Sequence, residues 1–210
     1  MRRVSKRAQE PPELLAYRKK YGADATYADL DKDNVRQSLL EDQGYLCCYC
    51  MRRIDKSNVK IAHFRSQSRY GHLELEWKNL LAACPGGVGR PRSQQTCDTR
   101  KGDEDLTVEP CSNNVERLRY LADGSVISDD ETIRQDLDDR LNLNLGSLKR
   151  QRSEVLRSLR AGLERKLGAR RTWTSARLRK ELDDLRSCQR LREFLGVYEY
   201  WIEKRIVRKR

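Results

Sequence analysis

Four of the seven cysteines are spaced in a way that suits a metal ion. Cys47 and Cys50 form a Cys-x-x-Cys knuckle, a tight turn that delivers two thiolates to one point. Cys84 and Cys97, on either side of a Gly/Pro-rich loop over 85–96, can supply two more. Zinc takes four soft ligands in a tetrahedron, with Zn–S near about 2.3 Å. The alternatives are a redox Cys-x-x-Cys, which needs a βαβ context that is missing here, or four unrelated buried thiols. A structural zinc site made by Cys47, Cys50, Cys84 and Cys97 is the favoured reading. Cys48 is expected to point away from its neighbours' sulfurs, and Cys111 and Cys188 to be small core residues.

Between the two halves of this set lies a second group. His63 is one of only two histidines. Asn79 follows it, Asp98 comes directly after the last zinc cysteine, and Lys101 stands one helical turn further on. Hydrolysing a phosphodiester requires an activated water, a cation on the scissile phosphate and stabilisation of the leaving oxygen. A neutral imidazole can take the water's proton at physiological pH. Asp98 can hold Mg²⁺ or Mn²⁺, hard cations that keep several waters and need only one or two protein ligands. Lys101 can neutralise developing charge. A lone histidine is more often structural, but the cysteine set and the Asn-then-Asp order favour a catalytic one.

The elements that must position these groups follow from periodicity. A helix is expected over 33–43, with Val35, Leu39 and Leu40 on one face and Gly44 ending it. Runs 51–54 and 59–64, around a polar turn at 55–58, read as a hairpin that includes the knuckle. The segment 75–83 reads as a short helix with Trp77, Leu80 and Leu81 inward. The expected fold class is α+β: a zinc-stapled ββα core in a mostly helical chain with a C-terminal antiparallel helical pair. The first helix of that pair starts at Ser147 and stops at Gly168. The second carries Leu178, Leu182, Leu185, Leu191, Phe194, Leu195, Tyr198, Trp201 and Ile202 on one broad face. The divisions are an N-terminal arm and helix (1–44), the core (45–110), a connecting region (111–146) and the basic helical region (147–210).

Composition bounds the rest. Charged residues are 36% of the chain and hydrophobic ones 37%, so the core is thin and gains from a metal staple or a partner. Residues 1–146 hold 24 Lys/Arg and 24 Asp/Glu, while 147–210 hold 20 and 8, so the entire +12 lies in the last third. Such a segment suits a polyanion; its bland counterpart is a solvated helical face. The first thirty residues hold no apolar run long enough for a signal peptide and no later stretch could span a bilayer, so a reducing cytoplasm, with the thiols free for metal, is the expectation.

The residues Cys47-Cys48-Tyr49-Cys50, Ile61-Ala62-His63-Phe64, Asn79-Leu80-Leu81, Cys84 and Cys97-Asp98-Thr99-Arg100-Lys101-Gly102 resemble the HNH nuclease motif of the PtuB family. Its members are nuclease subunits of Septu-type antiphage defence, some of them encoded beside retrons. Lys6, Pro11, Pro12, Gln43-Gly44 and Leu141-Asn142-Leu143-Asn144 extend the likeness over nearly the whole chain, the span from knuckle to Lys101 being the specific part. The resemblance implies a metal-dependent HNH (ββα-metal) endonuclease acting on DNA or RNA. His63 matches the general base, Asn79 the residue bracing the loop that carries the base, and Asp98 the position that reaches the catalytic Mg²⁺ or Mn²⁺. It also implies an ATPase partner of the PtuA kind and, through it, a retron reverse transcriptase with its nucleic acid.

One position departs from that pattern. The residue before the base is commonly Asp or Glu and helps to bind the cation; here it is Ala62. Either a silencing substitution was introduced, which is the slightly favoured account, or the cation is held by Asp98, water and substrate alone. Ala62 is also the feature that favours a different class of function, a zinc-stapled nucleic-acid-binding or adaptor subunit that does not cut. A zinc-finger transcription factor fits less well, because the segment between Cys50 and Cys84 has no recognition helix.

Overall fold

The computed structural model describes residues 1–169 and 172–207; residues 170, 171 and 208–210 of the expected helical region lie outside the described residues. The chain mixes helices with two small sheets. Helices α1 (Pro12–Tyr21) and α2 (Asp33–Asp42) come first. Strands β1 (Lys60–His63) and β2 (Leu80–Ala83) follow, then a short helix α3 (Cys97–Lys101). A second two-stranded sheet, β3 (Arg119–Tyr120) and β4 (Val126–Ile127), precedes α4 (Glu131–Gln135). Three helices close the chain: α5 (Gly146–Leu167), α6 (Ser175–Arg186) and α7 (Leu195–Val207).

Helix α2 forms where it was expected, burying Val35, Leu39 and Leu40. Gly44 follows with φ +59°, and a Cβ there would strike the Leu191 side chain. Two other expectations change. The runs 51–54 and 59–64 share no hairpin: the first makes only a single bridge, Leu46 to Arg53. The second run instead pairs antiparallel with 80–83, Ala62 lying opposite Leu81 and His63 opposite Leu80. The helix expected over 75–83 is therefore a 3-10 turn at Trp77–Asn79 that runs into strand β2. All four residues of β2 are buried, so its apolar run has no alternation to tell it from a buried helix.

The expected second C-terminal helix is two helices. Between them the backbone turns to the knuckle, with Leu191 N–H donating to Gly44 O and Phe194 N–H to Met51 O, both at 3.0 Å. Helix α7 then packs on α5, α6 and β3. Cys188 falls in this break and is exposed, not a core residue, while Cys111 is half-buried. One continuous core joins Met1, α2, the knuckle, the first sheet and the C-terminal helices. Among the described residues no helix is long and apolar enough to cross a membrane.

The second sheet is locked to α5 through a buried cation. Arg152 Nη2 donates to Leu143 O at 2.7 Å, and Arg152 Nε to Gly124 O. Gly124 has φ +86°, and a Cβ on it would lie 1.9 Å from Lys149 O. Gly124→Ala should therefore destabilise the chain by about 2 kcal/mol or more, through backbone strain and displacement of α5. A urea unfolding curve with an unchanged midpoint would show that the turn is not held in this way.

Candidate metal centre and histidine site

The knuckle is a tight turn because Met51 N–H returns to Cys47 O at 3.0 Å, with Met51 itself at φ +64°. Cys84 leaves the end of β2, and Cys97 opens α3. The ligand atoms of Cys47, Cys50, Cys84 and Cys97 all lie within 4.8 Å of one another, and all four residues are buried. The Cys50 and Cys84 sulfurs are 3.7 Å apart. A regular tetrahedron with Zn–S of about 2.3 Å has an edge of about 3.8 Å, so this separation fits an ion at the centre. Four buried thiols in mutual contact, with Arg52 Nη2 donating to Cys84 Sγ at 3.5 Å, form a donor set that could hold zinc. No oxidised pair exists among them.

The knuckle is braced from α2. Gln43 Nε2 donates to Leu46 O at 2.9 Å and to Ala82 O at 2.8 Å, while its Oε1 accepts from Ala82 N–H at 2.8 Å. One buried amide thus joins α2, the knuckle and β2. Each of its groups is paired, as burial demands.

His63 ends β1 and is buried. Its Nε2 lies 3.0 Å from Glu74 O. A carbonyl can only accept, so Nε2 carries the hydrogen and Nδ1 keeps its lone pair. Burial pushes the imidazole below its ordinary pKa, while the Glu74 hydrogen bond and the Asp98 charge act in the opposite sense. The Tyr27 ring meets the imidazole edge-on, with centroids 4.5 Å apart. Burial raises the Tyr27 phenol to about 12. Tyr27 and Glu74 were not legible as site residues, because their roles come from tertiary contact and from a backbone carbonyl.

Asn79 clamps the loop that follows His63. Its Oδ1 accepts from Arg65 N–H at 2.7 Å, and its Nδ2 donates to Arg65 O and Leu73 O, each at 3.0 Å. Asp98 sits on the first turn of α3 with its carboxylate 3.3 Å from Lys60 Nζ. Lys60 also donates to Thr99 Oγ1 at 3.1 Å. Side chains alternate along a strand, so position 62 shares the α3-facing side of β1 with Lys60. Ala62 is 1% exposed and brings no ligand to that side. Lys101 is buried and donates to Gly102 O at 3.1 Å, with burial lowering its pKa. Asp98 is thus partnered by Lys60 from β1, not by Lys101 on its own helix.

No family model matches the chain. Individual proteins do. Over 61 residues it is 41% identical to an Escherichia coli protein named for an HNH endonuclease of retron Ec83, covering 26% of this chain and 24% of that one. It is 27% identical over 123 residues to the Septu protein PtuB of Bacillus thuringiensis, 54% of this chain and 42% of the relative. It is 30% identical over 112 residues to a Vibrio cholerae protein named for an HNH endonuclease of retron Vc95, 49% and 53% respectively. The chain spans about half or less of the length of these relatives, and the likeness covers at most about half of the chain, less than the motif flanks suggested.

The cysteine cage makes a measurable demand. Elemental analysis should find one zinc per chain, and a strong chelator should lower the melting temperature sharply, since structural zinc contributes on the order of 10 kcal/mol in small zinc domains. A zinc-free preparation that melts unchanged would leave the four thiols as ordinary core residues.

Proposed function

We propose that this chain, which belongs with the PtuB and retron HNH proteins, is a metal-dependent HNH endonuclease subunit that hydrolyses phosphodiesters in DNA or RNA. The observation that carries this reading is the orientation of His63. With Nε2–H tied to Glu74 O, Nδ1 is a fixed and neutral proton acceptor. In the proposed reaction Nδ1 takes the proton of the attacking water. Asn79 holds the loop beyond His63 so that the ring does not drift. Lys60 places positive charge beside Asp98, where the phosphate's extra charge would develop, and Lys101 adds a second cation from the same short helix.

Asp98 offers one carboxylate toward a Mg²⁺ or Mn²⁺ ion, a ligand number that suffices where water and phosphate oxygens complete the shell. When bound, such an ion would polarise the phosphate and ease departure of the leaving oxygen. The four cysteines would hold zinc as a staple only, because four thiolates leave no open position for substrate. An ATPase of the PtuA kind and, through it, retron nucleic acid are the partners this reading proposes.

A second reading, a zinc-stapled adaptor that holds nucleic acid or a partner without cutting, is favoured by Ala62. The two separate at that residue. Ala62→Glu would bury a carboxylate beside Asp98, a costly arrangement unless a cation joins them. In the nuclease reading Mg²⁺ raises the melting temperature of Ala62→Glu more than that of the unchanged chain. With its partner, Ala62→Glu should cleave members of a mixed DNA and RNA panel at least about 100-fold faster, the range of a lost general base or cation ligand, and adding His63→Ala should abolish the gain. Inert Ala62→Glu protein that still binds nucleic acid would establish the adaptor.

A further inference from the structure

Immediately past His63 the loop presents a set of cations that the proposed chemistry does not use. Arg65 is the residue whose backbone Asn79 grips from both sides. Its guanidinium lies 5.0 Å from the Phe64 ring centre and 5.9 Å from that of Tyr70, so two rings limit its swing. From this position Arg65 Nη1 points at Asp105, 3.4 Å away. Arg69 Nη1 and the Tyr70 hydroxyl reach the same carboxylate at 3.3 and 3.2 Å. Three donors from one loop thus converge on a single anionic group that comes from outside the loop.

These distances are all longer than the roughly 2.7–2.9 Å of a well-made charge-assisted bond. The carboxylate is held loosely, and the side chains of Arg65, Arg69 and Asp105 are 40%, 52% and 33% exposed. Exposed ion pairs of this kind contribute little to stability, so stability alone gives no reason for so much preorganisation around Arg65. A groove of about 460 Å³ opens at the same place, with Phe64, Arg65, Asp105, Thr107, Glu109 and Arg140 among its lining residues. It begins at the residue next to His63. A phosphodiester carries the same single negative charge as a carboxylate, and its two free oxygens match the fork of a guanidinium.

We propose that Arg65, Arg69 and the Tyr70 hydroxyl form a cradle for a backbone phosphate of the nucleic-acid substrate, and that Asp105 occupies it until that phosphate arrives. This rests on the nuclease reading of the His63 site and names how that site grips its substrate. Asp105 is then a competitor that the substrate displaces. Neutral or weakly charged molecules cannot displace it, whereas a polyanion gains the additional release of condensed counterions.

Binding tests the cradle independently of Ala62. The unchanged chain, Arg65→Ala and Asp105→Asn are titrated against a labelled 20-base-pair DNA duplex and, separately, an RNA hairpin of similar length, by fluorescence anisotropy at several salt concentrations. Arg65→Ala should weaken binding about tenfold, the loss of one charged hydrogen-bonded contact, and flatten the salt dependence by about one unit of log–log slope. Asp105→Asn keeps the shape but removes the competing charge, and should tighten binding several-fold. A merely structural ion pair would weaken in both variants, so the opposite signs identify the cradle even if Arg65→Ala is partly unfolded. The nucleic acid whose binding responds is the substrate class. Tight binding by the unchanged chain that neither variant alters overturns the cradle and leaves the nuclease reading standing. No binding of either nucleic acid by any form at low salt overturns both.

Discussion

The four-thiol cage is the constraint on which the rest of this structure depends. Its ligands come from a knuckle, from the end of β2 and from the start of α3. None of these pieces is long enough to be stable alone: the strands have four residues and the helix five. A cation at the centre would turn three weak local structures into one cross-linked unit, the usual resort of small cores. The position of Asp98 follows directly, since it is the residue after a ligand. So does that of His63, because β1 is held in register by β2, whose last residue precedes Cys84. Fixing the sulfurs thus fixes the distance between the proposed base and the proposed cation ligand.

The residue types of the candidate site are legible in the amino-acid sequence, for a physical reason. Metal ligands and proton acceptors are few residue types, and their spacing is dictated by turn geometry, so Cys47, Cys50, Cys84, Cys97 and His63 stand out in one dimension. The supporting parts do not. Glu74 acts through its backbone carbonyl, which carries no side-chain signal. Tyr27 reaches His63 from the N-terminal arm, 36 positions away, by a fold that no local pattern encodes. Asp98 finds Lys60 across the sheet instead of Lys101 along its helix, because tertiary approach outweighs helical spacing.

The differences between the expected and the observed fold have equally specific causes. Strand β2 is Leu-Leu-Ala-Ala, buried on both faces, and a strand covered on both sides shows no period of two. Its turn residues Trp77–Asn79 supplied the apolar spacing that mimicked a helix. The break between α6 and α7 contains no proline or glycine from 187 to 194. It exists because Leu191 and Phe194 give their N–H groups to Gly44 and Met51 on either side of the knuckle, and a backbone donor spent on a tertiary acceptor cannot continue a helix. Phe194 accordingly sits at φ +55°.

That docking also recasts the basic last third. Part of its charge is neutralised locally: Arg186 bonds to Glu199 and Glu203, and Lys166 to Glu181. Other cations lie over rings instead, Arg160 over Trp201, Arg192 over Tyr198 and Arg190 over Tyr45 beside the knuckle. The distinction matters electrostatically. An ion pair cancels two charges at a distance, whereas a cation on a ring satisfies its local environment and keeps its full charge. Two of these contacts lie within the helical region and one, Arg190 on Tyr45, joins it to the cysteine unit, and none of them spends positive field. That field shares one core with the strand that carries His63, and in the proposed nuclease it would draw a polyanion toward the groove at Arg65.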